Sequence, residues 1–227
     1  MPVTEIQFFF ALFVCIVYNE FYHLLKGEDV LSKIQWKPGN MLYPLPAVLI
    51  SCGDSDENYN MITISWAGTI CTNPPMTSIS VKPNRHSYEL IKKTKEFVIN
   101  LTTESMVWAV DYCGVKSGRD VNKFAITKLS TSKASVVNAP LILESPVNIE
   151  CKVIEIKPLG SHDLFIAEVV AVHVDDTYID QNDKFHLNQS KPICYSHGHY
   201  FGLGDPLGSF GYSVKKKQKK KKKPKPE

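Results

Sequence analysis

Asn84-Arg85-His86-Ser87 sets a guanidinium, an imidazole and a hydroxyl on neighbouring residues. The chain has only two arginines, Arg85 and Arg119, and its other basic side chains are lysines. The stretch that follows, HSYELIKKT (86–94), reads as a helix, so Arg85 stands at its mouth. Free N–H groups and the helix dipole favour an anion there. Arginine grips two phosphate oxygens at once, which lysine cannot do, and Ser87 offers a hydroxyl to the same oxygens. The competing reading is an N-capped surface helix with a solvated arginine.

Other residues carry weaker signals. Thr63 and Ser65 put two hydroxyls beside Trp66 on one extended stretch, MITISWAGTI (61–70). SGRDVNKF (117–124) is a second polar clamp, in which Ser117 and Gly118 offer backbone donors; alternatively it is a helix end running into a loop. His162 opens a long apolar strand after a Gly-Ser turn, as a surface residue or as a donor to a bound ring. His197 and His199 lie two apart, but no carboxylate or cysteine completes a metal set, and none is expected. The fingerprints G-x-G-x-x-G after a strand, G-x-x-x-x-G-K-[ST] and G-x-S-x-G are missing, so a site here must be built in another way.

Strands dominate the elements that would position these groups. LPAVLISC (45–52) is a continuous apolar run of strand length. In 61–70, Ile62, Ile64 and Trp66 share one face, opposite Thr63, Ser65 and Ala67. Thr72-Asn73-Pro74-Pro75 turns the chain into TSISV (77–81), since proline cannot continue a ladder. EFVINL (96–101) follows the first helix. Thr103, or Thr102, is the expected cap of a second, ESMVWAVDYC. PVNIECKVIEIKP and HDLFIAEVVAVHVDD (162–176) flank Leu159-Gly160-Ser161 and read as a hairpin. The second is apolar on both faces and belongs mid-sheet. YSHGHYFGLGDPLGSFGYS (195–213) reads as a lid or a segment packed across a dimer interface. The whole suggests a closed or partly closed antiparallel barrel with helices at its edges.

Composition bounds the function classes. The 227 residues carry a formal charge of +3, but residues 215–227 hold nine lysines and one glutamate, a local +8, which leaves −5 for the rest. A uniformly basic nucleic-acid binder would not divide this way, and no specific nucleic-acid partner is expected. The lysine run (214–227) reads as a disordered, solvated tail, with contact to anionic lipid or nucleic acid the alternative. Six cysteines stand without any C-x-x-C pair, which fits buried thiols in a reducing compartment and a cytoplasmic protein. Residues 1–31 form an apolar extension. IQFFFALFVCIVY is short for a span, though residues 6–25 reach membrane length by admitting polar side chains. No signal peptide is read there. Lys26-Gly27-Glu28 followed by Val30 and Leu31 also fits a translated ribosome-binding site before alternative starts, which would make the extension a mis-assigned one.

Taken together, NMITISWAGTICTNPPMTSISVKPNRHSYELI, EFVINL, DYCGVKSGRDVNKF, APLILESPVNIECKV and LGSHDLFIAEVVAVHVDD resemble the flavin reductase-like family. The resemblance covers about residues 36–213. It implies a mainly β fold with flanking helices, an FMN-binding split β-barrel of six Greek-key strands. It also implies a homodimer with FMN near the dimer interface and electrons drawn from NADH or NADPH, or another carrier. Matching positions imply that Asn60, Met61, Thr63, Ile64, Ser65 and Trp66 line the flavin ring and ribityl chain. Thr72, Asn73, Pro74 and Pro75 would form the turn against the ring, with Cys71 a packing residue beside it. Arg85 and Ser87, with Tyr88 next to them, would hold the phosphate. Ser117 and Gly118 would close over the cofactor, and His162 would stand near the ring as the catalytic residue. Three activities fit: a flavin reductase passing electrons to flavin, ferric or protein acceptors; a flavoredoxin-like carrier with a redox protein partner; and a non-catalytic flavin-binding module held by its basic tail.

Overall fold

The computed structural model describes residues 33–215. The apolar extension, Cys15 and the lysine run beyond Lys215 therefore lie outside the described residues. Lys33–Met41 carries no helix or strand. From Leu42 onward, the main sheet is built from β2 (Val48–Cys52), β3 (Asn60–Ile64), β4 (Ala67–Cys71), β5 (Met76–Val81), β6 (Glu96–Leu101), β9 (Val147–Pro158) and β10 (Asp163–Val174). Its order is β3-β2-β6-β9-β10-β5-β4, and every pairing is antiparallel. β1 (Leu45–Pro46) joins the hairpin of β11 (Ile193–Ser196) and β12 (His199–Gly202) in a separate sheet, and β7 (Thr131–Ser132) pairs with β8 (Leu141–Ile142).

Both edges of the seven-stranded order belong to one stretch of chain. The sequence predicts a single strand over 61–70, but it bends at Ser65–Trp66 into β3 and β4. The Trp66 carbonyl still accepts from the Ser80 amide at 2.9 Å, so the bend stays tied to β5. The strand that starts the sheet thus also ends it, and counting it once leaves six strands. Ile62 and Ile64 enter the core as their alternation requires, whereas the bend leaves Trp66 39% exposed.

Two cores explain the apolar run at 45–52. Val48, Ile50 and Cys52 pack inside the barrel with Ile79, Phe97 and Phe165. Leu49 and Ala47 point the other way, into a layer with Met61, Val110 and Ile142. β2 is buried on both faces because each face has its own core. The second layer lies beneath α2 (Val107–Val115), which follows a short 3-10 turn, Glu104–Met106. Thr103 precedes that turn, but its hydroxyl meets Ser105 Oγ at 2.9 Å and caps nothing. Thr102 instead donates to the Ala47 carbonyl, so neither threonine caps by side chain.

The hairpin over 159–161 forms as predicted, with the Leu159 amide bonded to the His162 carbonyl. β10 lies between β9 and β5, in the middle of the order. Only its first half is flanked on both sides, because β5 pairs no further than Glu168. Beyond that point its apolar residues emerge, and Val172 is 55% exposed. α1 (His86–Thr94) has the bounds read from the sequence and ends on Lys95 in the left-handed region, φ 60. α3 (Lys123–Thr127) is capped by Asn122, whose side chain accepts from the Ala125 amide at 3.0 Å. The five described cysteines are free, and Cys52, Cys113 and Cys151 are buried.

Candidate functional site

Two contiguous cavities sharing Ile62 and Arg85 form one cleft at the Ser65–Trp66 bend. The aromatic end is lined by Ser65, Trp66, Ser80, Lys82 and His162. The basic end is lined by Asn60, Ser87, Ser117, Gly118, Arg119 and Lys123. The α1 start, the β3 backbone and the loop after α2 converge there. Lys82, Arg85, Lys116, Arg119 and Lys123 face the cleft against one carboxylate, Asp120. None of the five takes part in an ion pair among the described residues. Such an unbalanced, partly desolvated set favours an anion.

The polar contacts sharpen this. Arg85 is the N-cap residue of α1 by position and makes no capping bond with its side chain. Ser87 is buried and accepts from Asn60 Nδ2 at 2.8 Å, which leaves its own proton for a ligand. Ser117 accepts from the Arg119 amide at 3.2 Å. Gly118 packs so closely on Asn60 that a Cβ would also fall 2.9 Å from His86 Cδ2. His162 shares a hydrogen between Nδ1 and Ser161 Oγ at 2.9 Å, and its ring lies 4.5 Å from that of Trp66, tilted by 46°. Burial first, then Lys82 and Arg85, push the His162 pKa below its ordinary value. His86 is lowered likewise, by burial, then Arg119 and Lys123.

Several expected site residues are placed elsewhere. Met61 alternates away from the cleft into the core beneath α2, and only its carbonyl is turned to polar use. Thr63 lines the aromatic end, but its hydroxyl donates to the Val110 carbonyl of α2 and is not available. Tyr88 is a core residue whose hydroxyl donates to Asp163 Oδ2 at 2.6 Å. Thr72, Asn73, Pro74 and Pro75 form the exposed β4–β5 turn at the Met76 end of β5, whereas the cleft takes Ser80 and Val81 from the other end. Asn60, Ile64, Ser65, Trp66, Arg85, Ser87, Ser117, Gly118 and His162 do line the cleft.

Sequence reasoning missed two cations. Arg119 Nη1 donates to the Asn84 carbonyl at 2.9 Å, which ties the second clamp to the first. Its rarity was the available signal, because both arginines of the chain face this cleft. Lys123 is only 4% exposed, and its ammonium donates to the carbonyls of Met61 and Cys113, each at 2.8 Å. Burial, and after it Arg85, push its pKa down, against the opposing influence of Cys113 and Cys52. Two acceptors leave one of its three protons for the cleft. Nothing in the sequence separated Lys123 from the exposed lysines around it.

A family model described as flavin reductase like domain matches residues 40–204. The chain belongs to the flavin reductase-like family. This flavin reductase-like chain is 35% identical to an uncharacterized protein of Pyrococcus abyssi over 132 residues, 58% of this chain and 74% of the relative. Among solved structures it is similar to the flavoredoxin of Desulfovibrio vulgaris (Miyazaki F), with a TM-score of 0.74 and 27% identity over 81% of this chain and 100% of that one. The flavoredoxin from Methanosarcina acetivorans gives 0.73 and 25%, with the same coverage. The resemblance read from the motifs therefore holds, and the fold is the expected split barrel with flanking helices. Among the described residues no helix is long and apolar enough to cross a membrane, and no cluster of three or more side chains could hold a metal.

Proposed function

We propose that the chain is an FMN-binding oxidoreductase of flavin reductase type, a cytoplasmic homodimer. It would pass electrons from NADH or NADPH to a flavin, a ferric chelate or a protein acceptor. The observation that carries this reading is one cleft with an aromatic end at Trp66 and His162 and a basic end at Arg85, Ser87, Arg119 and Lys123. That pairing matches a ring at one end of a ligand and a phosphate dianion at the other.

Bound FMN would supply the hydride and electron chemistry, which side chains cannot provide. The protein's part is to bind and orient. Arg85 and the Ser87 hydroxyl would hold phosphate oxygens, with the Lys123 ammonium as a buried counter-charge. These groups give affinity and leave the rate to others. Backbone N–H groups of the bend, with His162, would donate to the ring. His162 stays neutral more readily because its pKa is lowered, and its Nε2 has no partner among the described residues.

A second reading, an electron carrier without direct use of nicotinamide, is favoured by the likeness to two flavoredoxins. The visible spectrum of the purified protein decides between them. Yellow protein bleached rapidly by anaerobic NADH or NADPH supports the reductase. Yellow protein that only dithionite bleaches supports the carrier. No chromophore, even after FMN is added, ends both.

A further inference from the structure

Tyr88 stands one helical turn beyond Arg85, and its amide bonds to the Arg85 carbonyl at 3.1 Å. Its buried ring meets Phe165 edge-on, with centroids 5.4 Å apart at 83°. Its hydroxyl reaches Asp163 Oδ2 at 2.6 Å, a contact between groups 75 residues apart. Asp163 is 8% exposed, opens β10 and directly follows His162. The starts of α1 and β10, which present Arg85 and His162 to one cavity, are therefore joined by a short interior hydrogen bond.

Among the described residues, His162 has no comparable anchor of its own. Its ring contacts are the neighbouring Ser161 hydroxyl, in an exposed bond, and the half-exposed Trp66. The turn before it passes through Gly160 at φ 102. A hydroxyl held short against a carboxylate in the interior is among the stronger hydrogen bonds.

The geometry points to Tyr88 as a positioning residue: its bond to Asp163 holds the His162 imidazole against Trp66 and so sets the spacing between the two ends of the cleft. What that spacing serves rests on the flavin reading; the clamp itself does not.

The test reads the His162–Trp66 stack in the full chain before any flavin is added. A protonated imidazole in contact with indole quenches its emission. Trp36→Phe and Trp108→Phe leave Trp66 as the emitter, and His162→Gln identifies the transition that belongs to the stack. With the native tyrosine, emission falls as pH drops through the His162 pKa. Tyr88→Phe keeps the ring and its packing but removes the hydroxyl. The amplitude should then drop by about twofold or more, the low end of coupling inside one hydrogen-bond network, and the midpoint should rise toward the ordinary histidine value. An unchanged amplitude and midpoint, even with a lower melting temperature, overturns the proposal. Should Tyr88→Phe not fold, Asp163→Asn carries the test. It removes the carboxylate charge that makes the bond strong and should lower the amplitude in the same direction, and an unchanged amplitude overturns the clamp. Because no flavin is present, failure of the flavin reading leaves this result standing by itself.

Discussion

At the scale of single residues, Arg85 and Lys123 divide the basic end between a rim and a floor. Arg85→Ala should weaken FMN binding by about 1–3 kcal/mol, the range for a charge-assisted hydrogen bond, with the melting temperature little changed. Titration of FMN fluorescence checks this, and unchanged affinity removes Arg85 from the phosphate. Arg85→Lys should recover only part of the loss, because an ammonium cannot make the forked contact. Lys123 behaves differently because it also serves the fold. Lys123→Met strips the donor from two buried carbonyls, those of Met61 and Cys113. It should cost about 2 kcal/mol of stability, on the scale of unsatisfied buried acceptors, and urea unfolding measures it. Arg85 was legible because an arginine at a helix mouth has a stated physical use. Lys123 was not, because its burial depends on α3 and β3, 62 residues apart in the chain at the Met61 contact.

At the scale of elements, two loops are fixed by close polar packing. Gly118 lies against Asn60 and His86, so a Cβ there forces the loop after α2 outward. Gly118→Ala should disturb the Asn60–Ser87 bond, cost about 1–3 kcal/mol of stability as overpacking does, and weaken FMN binding; urea unfolding and isothermal titration would show the two effects. The second loop is held by Glu150, whose buried carboxylate accepts from the amides of Ser135, Val136 and Val137, the Ser135 hydroxyl and His173 Nε2. Burial alone would raise its pKa, but these donors, Ser135 and His173 foremost, bring it down to about 2 from the ordinary 4.5. Between those values the unfolded chain holds more protons than the native one. The stabilisation is thus complete above about 4.5 and fades as pH falls toward 2. Urea midpoints across that window should fall with acid, and Glu150→Gln should flatten the slope while lowering stability at neutral pH. The bounds of α1 and the 159–161 hairpin were readable because each rests on local chemistry. The break at Ser65–Trp66 was not, since the alternation of 61–70 runs through it unbroken and only closure onto β5 demands the bend.

At the scale of the molecule, α2 and the β11–β12 hairpin leave Trp108, Val115 and Phe201 exposed. Together with the emerged half of β10, these apolar surfaces support the proposed homodimer. Sedimentation should give twice the chain mass, and a monomer at micromolar concentration would remove it. The sequence by itself determined the strand-rich class, the family and the place of Arg85 at the mouth of α1, because alternation, turn chemistry and helix-start signals act over a few residues. Only the tertiary structure decided which side chains share the cleft. It sent Met61 and Tyr88 into cores, set the Thr72–Pro75 turn at the far end of β5, and brought Arg119 and Lys123 beside Arg85. The physical reason is that a strand residue's neighbours depend on which core each face finds. That is settled by pairings across the whole chain, beyond the reach of any local window.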